Sequence, residues 1–113
     1  MRIEIRGLGF RLTGPLLEHT RRRLGFALIR NAHGIGRVVV RLGHTSSPQG
    51  ITGKFCKIDV VLNQAPPVRI EDAGIDLYEV IDRGVERAGR NVARRLNPLR
   101  ENAGLAMPQG SRS

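Results

Sequence analysis

Residues 76–96 have the sequence DLYEVIDRGVERAGRNVARRL, and this stretch decides the fold. Its apolar residues recur every three or four positions, a spacing that places them on one face of an α-helix. Pro98 follows closely and cannot continue a helix. The sequence therefore predicts a long amphipathic helix that covers another layer with its apolar face. That face consists of Leu77, Ile81, Val85, Ala88, Val92 and Leu96.

The segments before this helix alternate between apolar and charged residues, which is the period-two pattern of half-buried strands. Residues 2–6 show it strictly, with Ile3 and Ile5 on one side and charged residues on the other. A polar loop through residues 46–50 is expected to join the second strand to the third, because serine, proline and glycine favour turns. The four predicted strands cover residues 2–6, 38–42, 57–62 and 68–71.

A second helix is predicted from about residue 15 to residue 30. Thr13 precedes a Gly-Pro pair, which places a capping hydroxyl and a proline where a helix begins. Phe26 and Ile29 fall on the polar side of this helix, which we interpret as a sign that the helix has already ended there. Contact with a partner is the alternative. The apolar face consists of Leu16, Leu17, Thr20, Leu24, Ala27 and Leu28.

The predicted order of elements is β-α-β-β-β-α, which gives an α+β fold. A sheet with one apolar face needs cover, and two amphipathic helices laid on that face supply it. We therefore expect a two-layer sandwich, a four-stranded sheet with two helices on one face. Residues 1–96 are expected to form one domain, and residues 97–113 a poorly ordered tail, because they hold prolines, glycines and serines without periodicity.

The chain is strongly basic, with 19 Lys and Arg against 10 Asp and Glu in 113 residues, a formal net charge of +9. The excess is almost entirely arginine, since Lys54 and Lys57 are the only lysines. The planar guanidinium group suits phosphates and stacks on bases. The composition thus favours a nucleic-acid partner. A purely solubilising role for the charge is the alternative.

The compartment is predicted from what the sequence lacks. Cys56 is the only cysteine, so no disulfide or CxxC pair is formed within the chain. The first ten residues, MRIEIRGLGF, have no hydrophobic signal core, and no run approaches the roughly 20 apolar residues of a membrane span. We expect a cytoplasmic protein without a membrane-embedded part.

The arginines of the longer helix form one stripe. At 100° per residue, Arg83, Arg87, Arg90 and Arg94 lie opposite the apolar arc. A solvated helix face with local ion pairs is the alternative, because a glutamate precedes Arg83 and another precedes Arg90 by four residues. Arg87 and Arg94 have no such local partner. Exposed pairs contribute only about 0.3–0.5 kcal/mol, so they do not prevent contact with a phosphate.

The shorter helix places Arg22 opposite the core and Arg21 and Arg23 at its margins. Three consecutive like charges repel one another, which favours a partner that neutralises them; a solubilising run is the alternative. With three Phe, one Tyr and no Trp, the chain offers no aromatic platform for single-stranded bases. Recognition of structured RNA through its shape and backbone fits better.

An enzyme is not predicted. The three histidines lie on different predicted elements and, with Cys56, show no metal-ligand spacing. The glycine pairs lack the spacing of a nucleotide-binding loop. Among the candidate acids, Asp59 falls on the open face of a strand and Asp72 is placed in a loop. We expect no catalytic residues, no metal, no cofactor and no small-molecule substrate.

Four segments together resemble the ribosome hibernation promoting factors, also called ribosome-associated inhibitor or sigma-54 modulation proteins. The segments are RIEIRG at residues 2–7, LTGPL at 12–16, KIDVVL at 57–62 and VRIEDAGIDLYEVID at 68–82. The resemblance covers residues 2–95, and its most specific part is Asp76-Leu77-Tyr78 leading through Ile81-Asp82 into a basic helix. The order and spacing of the segments carry it, rather than any single motif.

The resemblance implies a fold like that of double-stranded RNA-binding domains, docked on the 30S subunit of the 70S ribosome between head and body. There it would contact 16S rRNA and block the path of mRNA and tRNA under stress or in stationary phase. Arg83 departs from the family, which often has an apolar or small residue at this position. The positions that match basic family residues facing rRNA are Arg22, Arg23, Arg87, Arg90 and Arg94.

Further expectations follow from the same resemblance. The chain corresponds to the short form, without the C-terminal domain through which long members pair ribosomes, so direct pairing of 70S particles is not expected. The isolated protein is expected to be monomeric. The alternative function is that of a sigma-54 modulation-type transcription regulator, in which the arginine stripe meets an acidic protein surface.

Overall fold

A computed structural model describes residues 1–9 and 11–98 of the chain. Most of the predicted tail, residues 99–113, lies outside this part. A 3₁₀-helix over Ile29–Gly34 joins the first long helix to the second strand. The strands and α-helices are β1 (Arg2–Leu8), α1 (Gly14–Leu28), β2 (Ile35–Ser47), β3 (Gly50–Leu62), β4 (Val68–Gly74) and α2 (Leu77–Leu96). The predicted α+β class and the order β-α-β-β-β-α are confirmed.

The four strands form one sheet in the order β1-β2-β3-β4. β1 pairs with β2 in parallel, whereas β2 with β3 and β3 with β4 pair antiparallel. Parallel neighbours need a long connection, and α1 with the 3₁₀-helix supplies it between β1 and β2. This crossover places α1 on the same sheet face that α2 covers after β4.

The hydrophobic core lies between that sheet face and the two helices. Ile58 at the centre of β3 is fully buried, and a Cβ added to Gly84 of α2 would lie 3.4 Å from its Cδ1. The lack of a side chain at Gly84 therefore lets α2 pack close to the sheet. The fully buried core side chains include Leu24, Leu28, Val38, Val40, Leu42, Ile58, Val60, Val80, Ile81 and Val92.

Both helices begin at capping residues. The Leu16 amide donates to Thr13 Oγ1 at 3.3 Å, as the sequence predicted for α1. The Tyr78 and Glu79 amides donate to Asp76 Oδ1 at 3.0 and 3.4 Å. These bonds satisfy amides that have no partner inside a helix, and they fix where each helix starts.

The hairpin loop predicted at residues 46–50 is found there but is shorter than predicted, because β2 continues to Ser47 and β3 starts at Gly50, which leaves only residues 48 and 49 in the turn. The pairing of β1 ends opposite Gly43 and that of β4 opposite Lys54, so residues 44–53 form an arm whose strands pair only with each other. Main-chain pairing and a bond between the Thr45 and Thr52 hydroxyls at 2.9 Å hold it. This pairing overrides the turn preference of its serines and glycines.

The interpretation of Phe26 is wrong as well. It lies inside α1, and 86% of the residue is exposed, while Ile29 follows the last residue of the helix. The 3₁₀-helix continues the chain from there, and two bonds from Asn63 tie its end to the sheet: the amide to Gly34 O at 2.9 Å and Nδ2 to His33 O at 3.2 Å. An exposed aromatic residue near a helix end therefore did not mark that end.

The substitution Ile58→Ala should destabilise the fold by about 2–5 kcal/mol, because it leaves a cavity in the core where Gly84 of α2 packs on the sheet. The measurement is the free energy of unfolding in urea, followed by circular dichroism. Val61→Ala on the same strand is the control, since Val61 is 40% exposed on the opposite sheet face. Equal losses in the two variants would contradict this account of the core.

Candidate nucleic-acid interface

The six arginines proposed from the sequence all lie in the helical layer. Arg22 and four of the five arginines of α2, namely Arg83, Arg87, Arg90 and Arg94, are exposed, and Arg23 is partly buried. Side-chain exposures of 46–59% for Arg83, Arg87 and Arg90 leave their guanidinium groups accessible to a ligand. The six residues are Arg22, Arg23, Arg83, Arg87, Arg90 and Arg94.

Asp72 binds Arg83 closely and Arg87 only weakly, so the arginines of the stripe on α2 differ in their contacts. Its carboxylate accepts from Arg83 Nε at 3.1 Å and from Arg83 Nη2 at 3.3 Å. Nη2 also donates to Ala73 O at 3.1 Å, and Nη1 lies 3.8 Å from Glu79. All three nitrogens of Arg83 thus have partners within the protein, and Arg83 has more internal contacts than the other arginines of the stripe.

Asp72 belongs to β4 rather than to the predicted loop, and only 15% of its side chain is exposed. Partial burial by itself raises the pKa of this carboxyl. The hydrogen bonds from Arg83 and the Ala73 amide, with the charges of Arg83 and Arg87, outweigh that effect and hold the pKa below its usual value. Asp72 is therefore a charged anchor, by which we mean an ionised carboxylate that holds Arg83 and attracts Arg87. The sequence, which places Asp72 in a loop, did not predict this role.

Arg87, Arg90 and Arg94 contact the protein differently. Arg87 Nη1 donates to Glu71 O at 3.0 Å and lies 4.0 Å from Asp72. Arg90 Nη1 lies 4.0 Å from Glu86, and Arg94 Nη1 donates to the Asn91 side chain at 3.2 Å. In the described part of the chain these contacts involve Nη1 alone. Within the described residues, the Nε and Nη2 donors of all three arginines have no partner, and a guanidinium edge of this kind suits a bidentate contact to phosphate.

Asp82 links the two helices at their outer seam. Its Oδ1 lies 2.8 Å from His19 Nε2 and 3.2 Å from Arg23 Nε. The His19 ring also meets the Tyr78 ring edge-on, with centroids 4.8 Å apart. This cluster sets the position of α1 relative to α2 and holds Arg23 between them. Arg22, one residue earlier, forms no ion pair within residues 1–9 and 11–98.

The open face of the sheet is also charged, but its acids are already paired with its cations. Asp59 contacts Arg41 at 2.8 Å and Arg69 at 3.5 Å. Glu4 contacts Arg6 at 2.8 Å, and Glu71 lies 3.8 Å from Lys57. A polyanion on this face meets interleaved carboxylates. The helical layer has paired acids too, at Asp72, Asp82 and Glu86, but it places four arginines in one row along α2, and it is the surface that the sequence predicted.

Among the described residues there is neither an ionised thiol nor a cluster that could hold a metal ion. Burial, with a smaller effect of the Asp72 charge, raises the pKa of Cys56 to about 12, so this thiol stays neutral. No three His, Cys, Asp or Glu residues in the described part are placed to hold a metal ion. None of the described helices is both long and apolar enough to cross a membrane.

No protein-family model and no curated protein matches this sequence. Solved structures do. The N-terminal domain of Protein Y from Thermus thermophilus is 26% identical, with a TM-score of 0.68, over 83% of this chain and 98% of that one. A ribosomal subunit interface protein from Coxiella burnetii is 16% identical, with a TM-score of 0.67, over 83% of this chain and 96% of that one.

The structure confirms the resemblance to the ribosome hibernation promoting factor family. The likeness covers nearly the whole of each neighbour and most of this chain. As in the sequence, it depends on the arrangement of the elements as a whole rather than on one motif. Arg83, which departs from the family pattern in the sequence comparison, is held in place by Asp72.

The substitution Asp72→Asn should lower the stability by about 1–2 kcal/mol near pH 7, because Arg83 and Arg87 lose their shared counter-ion while staying partly solvated. The pKa of Asp72 is depressed in the folded state, so its contribution is present above the unfolded pKa of about 3.9 and is lost as the pH falls through the folded pKa. The difference from the parent protein should therefore shrink in acid.

Urea unfolding of both proteins, from neutral pH down to about pH 2, measures this difference. Glu86→Gln is the control, since Glu86 is 68% exposed and 4.0 Å from Arg90, and should change stability by less than about 0.5 kcal/mol. A deficit of Asp72→Asn that does not change with pH would contradict the assignment of Asp72 as a charged anchor.

Proposed function

We propose that this chain is a ribosome-associated factor that inhibits translation by binding 16S rRNA on the small subunit and occupying the path of mRNA and tRNA under stress or in stationary phase. The observation that carries the proposal is the exposed arginine surface across α1 and α2, on a fold similar to Protein Y and to a ribosomal subunit interface protein. Such a factor acts in the cytoplasm, as a binding protein rather than an enzyme.

The geometry of the helical layer supports an RNA partner. RNA helices carry phosphates on a regular, rigid backbone, and a protein recognises them through shape and phosphate contacts. The arginines of the interface project from two helices held together by a shared core and by Asp82. Their positions are thus fixed before binding, which lowers the entropy lost on association.

The arginines take different parts in the proposed interface. Arg22, Arg90 and Arg94 face the phosphates with the fewest competing contacts. Arg87 combines one anchoring bond to Glu71 O with a free guanidinium edge. Arg23 and Arg83 are each paired with an aspartate, and they add positive potential while they fix the neighbouring geometry.

Inhibition in this scheme is steric. The bound domain fills space that mRNA and tRNA need, and no covalent bond changes. Affinity then comes from phosphate neutralisation and counterion release. The complex is reversible, and ribosomes regain activity when the protein leaves.

Purified protein should co-sediment with 30S subunits and 70S ribosomes at low salt and leave them as the salt concentration rises. Binding through several phosphates weakens by about 10³-fold or more between about 50 and 200 mM salt. Sucrose-gradient sedimentation at a series of salt concentrations is the measurement. Absence from ribosomal fractions at every salt concentration would refute the proposed function.

The triple substitution of Arg87, Arg90 and Arg94 by alanine should strongly weaken co-sedimentation at low salt without unfolding the protein, because these residues are exposed. It should also lower the slope of log affinity against log salt by about 1 for each lost phosphate contact. The control replaces Arg2, Arg37 and Arg69 by alanine, which removes the same charge from exposed sheet positions. Equal loss in the two triple variants would show that net charge, not the helical surface, drives binding.

A further inference from the structure

A groove of about 650 Å³ lies beside the proposed phosphate contacts, between the end of α1 with the 3₁₀-helix and the second half of α2. Its floor consists of small residues at the point where the helices approach. A Cβ added to Gly89 would lie 3.2 Å from Ala27 O and 3.3 Å from Ala27 Cβ. Longer side chains rise on both sides of this contact, and the depression between them is the groove.

The walls of the groove combine exposed apolar and basic groups. Phe26 and Ile29 stand on the α1 side, with exposures of 86% and 64%, and lie three residues apart on neighbouring positions of the helical surface. Arg30 lies beside them, and Arg90 and Arg94 line the α2 side. One exposed aromatic residue needs no explanation by itself, but an aromatic ring in a groove with three guanidinium groups has the composition of a nucleotide site.

We propose that this groove receives one unpaired nucleotide of the bound RNA, with its base against the Phe26 ring and its flanking phosphates near Arg30, Arg90 and Arg94. The inference rests on the proposed function and adds to it a preference for RNA with a bulged or looped-out base. The composition predicts no aromatic platform for a run of single-stranded bases. One exposed ring is nevertheless enough to stack on one base.

Charge and shape favour this occupant over the others. The groove has three arginines against one acid, Glu86, which lies 4.0 Å from Arg90. The excess of positive charge attracts an anion, and a flat group such as a nucleotide base can stack on the exposed Phe26 ring. A paired duplex keeps its bases stacked inside and offers only phosphates, whereas an extruded base offers a π-face next to its own phosphates. An acidic peptide matches the charge but not the ring.

The test uses the absence of tryptophan from the chain, so that Phe26→Trp creates a single tryptophan at the groove. The Trp emission is measured during titration with two RNA hairpins that share the same loop, one with a fully paired stem and one with a single bulged nucleotide in its stem. We expect stronger quenching by the bulged RNA, and binding of that RNA about tenfold tighter. The parent protein and Phe26→Ala have no tryptophan, so their binding is followed by the fluorescence anisotropy of end-labelled hairpins, and Phe26→Ala should lose this preference.

Ile51→Ala is the matched control, because Ile51 is 68% exposed on the arm at the opposite end of β2 and β3, and it should keep the preference. Equal affinities of the parent protein for the two hairpins, or a preference unchanged in Phe26→Ala, would overturn the inference. Quenching by poly-glutamate as strong as by the bulged RNA would also overturn it, and would identify an acidic protein segment as the occupant.

These outcomes are distinct from a failure of the proposed function. If the parent protein co-sediments with ribosomes but does not prefer the bulged hairpin, only the groove assignment falls. If it fails to co-sediment at any salt concentration, the proposed function falls first. Circular dichroism of each Phe26 variant should match that of the parent protein, since the side chain makes little contact with the core.

Discussion

The packing of α2 against β3 and β4 determines much of the rest of the structure. Ile81, Val85, Ala88 and Val92 must be removed from water, and the apolar face of the sheet is the surface that accepts them. Once that face of the helix is buried, its rotation about its own axis is fixed. The arginines at 83, 87, 90 and 94 are then turned outward by the same constraint. The basic surface is thus a geometric consequence of the core.

Two aspartates fix side-chain positions on the helical layer that the packing of the core does not determine. Asp72 holds Arg83 completely and Arg87 in part, and Asp82 joins α1 to α2 through His19 and Arg23. Both acids reduce the positive charge of the surface, which weakens its attraction for a polyanion at long range. In return they restrict long side chains that otherwise lose rotational freedom on binding. A surface that recognises one rigid arrangement of phosphates benefits more from such order than from two extra charges.

The sequence predicted the order of the elements and the orientation of α2, because both depend on local periodicity. It failed at the arm of residues 44–53, where Gly and Ser disfavour a strand locally and only pairing between β2 and β3 maintains one. It failed at Asp72 for a similar reason, because its strand position opposite Cys56 depends on a distant partner. The arginine stripe was visible in the helical phase, whereas its division by Asp72 depends on a tertiary contact. Phe26 was misjudged because its exposed position was interpreted as the end of a helix that in fact continues to Leu28.

The open sheet face and the helical layer both carry many basic residues, but the charged side chains are arranged differently on the two faces. On the open sheet face, acids and bases alternate across the strands, and a phosphate must compete with Asp59 or Glu71 for a guanidinium or ammonium group. On the helical layer, Arg87, Arg90 and Arg94 contact residues of the described part of the chain through Nη1 only, and no contact to the other edge of each guanidinium group is formed within that part. A bidentate contact to phosphate needs that edge. In the proposed interface, the edge that meets phosphate and the nitrogen that contacts the protein are therefore different parts of the same guanidinium group.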